Sequence, residues 1–426
     1  MATLHANVWE ETAVAPAAYP PLTESRRADV VVVGAGYLGL ATALHLAQAG
    51  IHVIVVDAQE PGSGASGRNG GQVIPGFKYD PDELELMFGR ERGERIWRFG
   101  AGTADVVFDL IARHRMRVPT RRAGWVQGIH SHKAVDKARR RAEQWQRRGV
   151  DVSYLDAATT AAIAGTELYL GGIIDRRGGA IQPLSFAREL AKVTCEAGAN
   201  IYAKTAVSRF DRMSDGWRLT CATGAVITAR AAILATNAYS KQLVPGLDMS
   251  IVAANSLQVA TEPLPEELRA YILPNGEVLS DTRKVIRYWR LDGEGRLLMG
   301  GRGPYREPNA ESDWAHLIAD IRALFPDLVK LRLTHRWGGR VAINLNFLPR
   351  LHEPSPGLLI AIGCQGRGVG LQTALGPELA RRVLDSSYDM PFPITAIEPI
   401  PFHALKAVGA SAMVGWYRFA DRVGLS

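Results

Sequence analysis

The chain has 426 residues, more than one ordinary hydrophobic core accommodates and enough for two domains. With 47% hydrophobic and 22% charged residues it is a globular rather than a disordered chain, and a net charge of +7 at this length argues against a nucleic-acid-binding protein. Cys195, Cys221 and Cys364 are far apart and lack C-x-x-C spacing, which argues against a disulfide framework or a structural metal site.

The first 28 residues carry Pro16, Pro20 and Pro21 and little periodicity, and are expected to form an irregular arm. The stretch MATLHANVWEETAVAP has no basic start and no apolar core, so no secretory signal is expected. Asp29-Val30-Val31-Val32-Val33 reads as a parallel strand buried on both faces. Residues 37–49 are apolar at helical spacing and stop at Gly50. His52-Val53-Ile54-Val55-Val56 is a second buried strand ending at Asp57, which completes a βαβ unit. Residues 80–150 read as helical, and within them HSHKAVDKARRRAEQWQRRG (130–149) is an amphipathic helix with a basic, solvated face.

Residues 183–210 read as helix, turn and strand, with the strand at 200–206. Residues 216–240 read as a hairpin followed by a separate buried strand, Ala232–Ala235. Strand-like pieces recur over 250–305, in NSLQVATEPL, KVIRYWRL and RLLMGGR. Residues 358–384 read as strand, glycine turn and helix, and 401–424 as a closing amphipathic helix. That last helix could touch lipid through Trp416, Tyr417 and Phe419, although docking on the protein's own core is the simpler reading. No apolar run approaches the roughly 20 residues that span a bilayer, and a cytoplasmic protein is expected.

The predicted architecture is α/β. A discontinuous Rossmann-like domain is assigned to residues 1–75, 151–245 and 336–426. A largely antiparallel sheet with helices, at 76–150 and 246–335, is inserted as a substrate domain.

GAGYLG supplies Gly34, Gly36 and Gly39 in G-x-G-x-x-G spacing between a strand and a helix. The helix N-terminus offers N–H donors to a pyrophosphate, and Asp57, 18 residues after Gly39, can accept from an adenosine ribose. The unit indicates an adenine dinucleotide and disfavours NADP, but does not itself choose between NAD and FAD. A second glycine-rich stretch, GASGRNGGQ (64–72), follows at once.

The stretches VVVGAGYLGLATALHLAQAGIHVIVVDA (31–58), GASGRNGGQV (64–73), AAILATNAYS (231–240), VIRYWRL (285–291), RLLMGGR (296–302) and GCQGRGVGLQTALGPELA (363–380) together resemble the D-amino-acid oxidase-like FAD-dependent oxidoreductases. The texture is that of γ-glutamylputrescine oxidases, with glycine and sarcosine oxidases as further relatives. The resemblance implies non-covalent FAD. It places Gly34, Gly36, Tyr37, Leu38, Gly39, Asp57 and Ala58 at the adenosine and pyrophosphate end. Ser66, Arg68, Asn69, Gly70, Gly71 and Gln72 would run past the pyrophosphate and flavin. The backbone of Val207 would meet adenine, Thr236 and Asn237 the dinucleotide, and the backbone of Gly366, Arg367, Gly368, Val369 and Gly370 the flavin pyrimidine.

Three departures from that family carry information. The segment RWGGRVAIN (336–344) lacks the cysteine that tethers flavin in sarcosine oxidases. Gln72 stands where those enzymes keep an arginine for a substrate carboxylate. No lysine stands beside Leu297-Leu298-Met299-Gly300, where they keep one that activates oxygen. The implied reaction is oxidation of a larger primary or secondary amine to an imine, with O2 or another acceptor taking the electrons. An amine dehydrogenase using a quinone or carrier, and a hydroxy-acid oxidoreductase, are the alternatives. Gln72, Tyr288 and Trp337 are the candidate pocket residues. Strand alternation sends Tyr288 and Trp289 to opposite faces, so only one of them lines the pocket. Arg287, Arg336 and Arg340 could hold an acidic substrate end, but structural ion pairs are the simpler reading. No catalytic side chain is assigned, since a bound flavin carries the redox step.

Overall fold

The computed structural model describes residues 7–240, 242–403 and 415–417. The helix expected over 401–424 therefore lies almost wholly outside the described residues.

Five parallel strands form the centre of the first sheet, in the order Asn200–Tyr202, Val53–Val56, Arg26–Val33, Val226–Leu234 and Leu358–Ile362. Both faces are covered, which explains the uninterrupted valine runs. Val30 and Val32 join Val53 and Val55 against the helices Tyr37–Gln48, Pro183–Glu196 and Gly368–Leu384. Val31 and Val33 face the opposite layer with Leu219, Ile227 and Leu247.

The expected hairpin and separate buried strand are one element. Val226–Leu234 pairs through its first half with Trp217–Cys221 and through its last residues with Leu358–Ile362. The strand expected at 200–206 is only Asn200–Tyr202, and Val207 instead opens the next strand opposite Cys221.

Among the described residues the second sheet has eight strands, antiparallel except for the pair Val278–Asp281 and Trp125–Gly128. Its order is Leu333–Ile343, Val252–Pro263, Arg296–Arg302, Tyr288–Leu291, Val278–Asp281, Trp125–Gly128, Gly172–Asp175 and Val152–Leu155. Trp289, Met299, Trp314 and Leu317 fill its back with the helix Ala315–Leu324.

Three strands cross the boundaries drawn from sequence. Val152–Leu155 and Gly172–Asp175 fall after residue 151, and Leu333–Ile343 straddles 336, yet all three hydrogen-bond in the second sheet. Local alternation identifies a strand but does not say which sheet it joins. For the same reason the stretch expected to be helical over 80–150 hides the strands Thr120–Arg121 and Trp125–Gly128 between helices Arg90–Arg113 and His132–Arg147. The basic helix is partly neutralised by an acidic neighbour, because Arg141 pairs with Asp80 and Arg148 with Asp82 and Glu85. Among the described residues no helix is long and apolar enough to cross a membrane.

Candidate functional site

Parallel strands deliver their C-terminal ends to one edge of a sheet, and ligands of such sheets bind there. Gly34, Asp57, Thr236 and Gly363 stand at these ends here. Two helices, Tyr37–Gln48 and Gly368–Leu384, start from that edge, and in neither does the N-cap residue, Gly36 or Arg367, supply a side-chain cap, although Ser66 Oγ takes the Tyr37 N–H of the first. Both leave N–H donors and positive dipole ends for an anion. The first turn is as tight as its glycines require: a Cβ on Gly39 would lie 1.9 Å from Gly34 O, so any side chain there forces strand and helix apart.

Asp57 accepts Ala35 N–H at 2.7 Å on Oδ2 and Gln59 N–H at 2.9 Å on Oδ1. Burial raises its pKa, and those two backbone bonds oppose the rise. Each oxygen keeps a further lone pair for a ribose hydroxyl. Ala58 beside it is exposed. The chain leaving Tyr202 returns to the same place, with Thr205 N donating to Asp57 O at 2.7 Å, two residues before Val207. Asn237, at φ 45°, accepts Gly363 N–H at 3.0 Å, and Thr236 Oγ1 lies 2.9 Å from Ser240 Oγ. An anion-ready edge with a ribose-ready carboxylate fits an adenine dinucleotide.

The stretch 64–72 lies between this edge and the second sheet. Ser66 Oγ accepts Tyr37 N–H at 3.1 Å, and Tyr37 Oη sits 2.5 Å from Ser66 O. Burial drives the Tyr37 phenol upward, so it stays protonated. The Asn69 side chain serves the loop itself: its amide reaches Ala65 O and Ser66 O, and its Oδ1 accepts Gly71 N–H at 2.8 Å. Arg68 Nε donates to Ser63 O at 3.0 Å. Leu38 is buried in the helix that follows Gly36.

A row of directly paired residues crosses the sheet opposite the loop: Trp337, Gln258, Gly300, Tyr288 and Ser280. Trp337 Nε1 and Gln258 Nε2 both donate to Arg68 O, at 3.0 and 2.8 Å. Tyr288 covers Gly300 so closely that a Cβ there would lie 2.0 Å from Cζ, and its hydroxyl meets Ser256 Oγ at 2.7 Å. Burial pushes the Tyr288 phenol up to about 12. Trp289 points the other way, into the back of the sheet against Tyr169 and Phe325, as alternation requires.

Gln72 is anchored rather than free. Its Nε2 donates to Leu279 O and Trp289 O at 3.2 and 3.1 Å, which leaves Oε1 buried with no hydrogen-bond partner among the described residues.

At the far end, Gly366 has φ 78° and the turn leads into Gly368, Val369 and Gly370. Gly370 packs on the backbone of Thr103, and Val369 is buried. The Arg367 side chain leaves the turn. It donates to Pro75 O at 2.5 Å and lies 5.1 Å from the Trp125 ring. Burial first, then the neighbouring Arg141, pushes its pKa down to about 9.

The three arginines considered for an acidic substrate end are paired: Arg287 with Asp320, Arg336 with Glu311 and Arg340 with Glu307. His335 pairs with Glu11 at 2.7 Å. Cys364 is buried, its Sγ 3.9 Å from Ala342 O.

Sequence reasoning missed Asn7, Trp9, Ser256, Gln258 and Arg290. Trp9 sits in a short helix, Val8–Thr12, that Asn7 caps, inside the arm expected to be irregular. Ser256 and Gln258 alternate within NSLQVATEPL, and that polar alternation was the available signal. Arg290, buried with its pKa pushed down to about 10, donates to Ile181 O at 2.9 Å.

Comparison with known proteins agrees with this geometry. Residues 29–382 match the family model described as FAD dependent oxidoreductase. A probable oxidoreductase OrdL of Rhizobium meliloti is 33% identical over 376 residues, covering 87% of this chain and 86% of that protein. Gamma-glutamylputrescine oxidoreductase of Escherichia coli is 28% identical over 420 residues, covering 96% of each. In fold, glycine oxidase from Geobacillus kaustophilus superposes with a TM-score of 0.72 at 20% identity, over 88% of this chain and 99% of that one. L-proline dehydrogenase from P. horikoshii gives 0.72 at 18% identity, over 90% and 99%. The chain, with a dinucleotide-ready sheet edge and a family match spanning most of its length, belongs to the FAD-dependent oxidoreductase family, and its cofactor is FAD.

Proposed function

We propose that the enzyme oxidises a primary or secondary amine of the polyamine or γ-glutamyl-amine kind to an imine, which water hydrolyses to a carbonyl product and a smaller amine or ammonia. FAD, when bound, supplies the two-electron acceptor for the hydride. The observation that carries this reading is Gln72: a neutral residue on the loop, its amide held by Leu279 O and Trp289 O, with one unpartnered oxygen. A side-chain amide carries no positive charge, so Gln72 offers a substrate carboxylate no ion pair of the kind an arginine would give. The paired state of Arg287, Arg336 and Arg340 supports the same preference. Tyr288 and Trp337 give the site an aromatic wall, and a desolvated wall favours the uncharged, reactive amine.

On this reading FAD lies along Gly34–Gly39, Asp57, residues 64–72 and the Gly366–Gly370 turn, with Val207 at the adenine. It is held without a covalent bond, Cys364 being engaged in packing. O2 is the proposed acceptor and the cytoplasm the proposed compartment. A second reading, a dehydrogenase that passes electrons to a quinone or carrier, is favoured by the absence of lysine from Arg296–Arg302. Turnover with a panel of polyamines and γ-glutamyl-amines, with peroxide and carbonyl product both measured, tests the proposal. Equal amounts of the two support the oxidase, carbonyl without peroxide supports the dehydrogenase, and turnover of hydroxy acids alone refutes both.

A further inference from the structure

Three consecutive carbonyls of the 64–72 loop are gripped from outside it. Gly67 O accepts Asn7 Nδ2 at 2.9 Å, and Asn69 O accepts Trp9 Nε1 at 2.8 Å. Between them, Arg68 O accepts Gln258 Nε2 and Trp337 Nε1. Two of these four donors come from the N-terminal arm, roughly 60 residues upstream, and both are buried, Asn7 at 7% and Trp9 at 1% exposure.

The arm is itself held on several sides. Gln182 Nε2 donates to Trp9 O at 2.9 Å, and Glu11 meets His335 at 2.7 Å. The Trp9 ring stands edge-on to Trp337 with centroids 6.0 Å apart, and the Arg290 guanidinium lies 5.0 Å from it. A donor so braced fixes the direction of the carbonyl it holds.

Peptide units are planar and trans, so each carbonyl points opposite to the N–H of the next residue. With Arg68 O and Asn69 O turned toward the arm and the second sheet, the N–H groups of Asn69 and Gly70 are turned to the other side of the loop. We propose that the segment Asn7–Thr12 is a positioning element for FAD. Trp9 sets the peptide plane that turns the Gly70 N–H toward the cofactor before it binds, and Asn7 steadies the turn just ahead of it, whose Arg68 N–H is already spent on Ala65 O. The inference rests on the reading that this loop runs beside FAD. Its physical content is preorganisation: without the two donors the loop must be ordered at the expense of binding.

The test is the rate of FAD release from the holoenzyme after dilution into a flavin trap. Trp9→Phe keeps the ring against Trp337 and removes only the Nε1 donor. Asn7→Ser keeps an oxygen to cap Trp9 N–H but cannot reach Gly67 O. Each variant should release FAD faster by on the order of fivefold to tenfold, the loss of one net hydrogen bond. Glu94→Gln, whose side chain pairs with Arg98 on an exposed helix face away from the arm, should match the parent. A merely structural arm would lower the thermal midpoint while leaving the release rate of both variants within about twofold of the parent. That outcome overturns the proposal. Asp57→Asn separates the two layers: if FAD retention is indifferent to Asp57, the cofactor-site reading itself fails.

Discussion

Replacing Gly300 by alanine tests the site wall directly. The added Cβ would lie 2.0, 2.1 and 2.4 Å from Cζ, Cε2 and Oη of Tyr288. The ring must withdraw by about 1.4 Å to regain ordinary contact. It has little room, because a Cβ on Gly70 would already stand 3.0 Å from Cε2. Withdrawal also breaks the 2.7 Å hydrogen bond to Ser256 Oγ. Overpacking costs about 1–3 kcal/mol and the lost hydrogen bond about 0.5–1.5, so Gly300→Ala should destabilise the protein by roughly 2–4 kcal/mol. Denaturant unfolding of the holoenzyme measures this, and steady-state kinetics should show a raised KM, because the displaced ring moves toward Gly70. In a Tyr288→Leu background the same substitution should cost less than about 1 kcal/mol, since the clashing ring is gone. Equal cost in both backgrounds, or an unchanged KM, would refute the arrangement of Tyr288 over Gly300.

Asp57→Asn should weaken FAD binding by about 10–100-fold in a fluorescence titration, because a charge-assisted hydrogen bond to the ribose is worth about 1.5–3 kcal/mol. Trp289→Phe should leave KM unchanged while costing about 1–3 kcal/mol of stability, since the fully buried ring faces the back of the sheet and the smaller ring leaves a cavity there; a changed KM would contradict the alternation. Lys78, whose Nζ lies 3.2 Å above the Phe347 ring, has its pKa pushed down to about 8 by burial and then by Lys284 and Lys137. The depressed value means that the ammonium is disfavoured in the folded state; this penalty is complete below about pH 8 and fades as pH rises toward the unfolded value near 10.5. At pH 8 Lys78 should acetylate on the order of tenfold faster than the exposed Lys192, read by mass spectrometry, and parity would refute the shift.

The cofactor half of the fold was legible because its physics is local. Runs such as Val30–Val33 admit only a doubly covered strand, and Gly34, Gly36 and Gly39 admit only a close turn. Asp57 follows from the same βαβ unit. The strand edges of the second sheet were legible where alternation was clean, as in Arg296–Arg302, and Tyr288 and Trp289 divided between its faces as period two demands. Sheet membership was not legible, because Val152–Leu155 and Leu333–Ile343 carry no mark of their distant partners. Nor was the arm: one turn of helix at Val8–Thr12 has too little periodicity to register, and the value of Trp9 lies in its partner 60 residues away. The direction of the Arg367 side chain was not legible either, since sequence locates a backbone turn but not where a long side chain goes.

The central claim is that FAD in this site accepts electrons from an amine. Its most direct measurement is the visible spectrum of the purified holoenzyme, mixed without oxygen with polyamines, γ-glutamyl-amines, small amino acids and hydroxy acids in turn. Rapid bleaching of the flavin by the larger amines, with small α-amino acids and hydroxy acids slow or inert, is the predicted result. Bleaching by hydroxy acids or small amino acids while every larger amine leaves the flavin oxidised would contradict it.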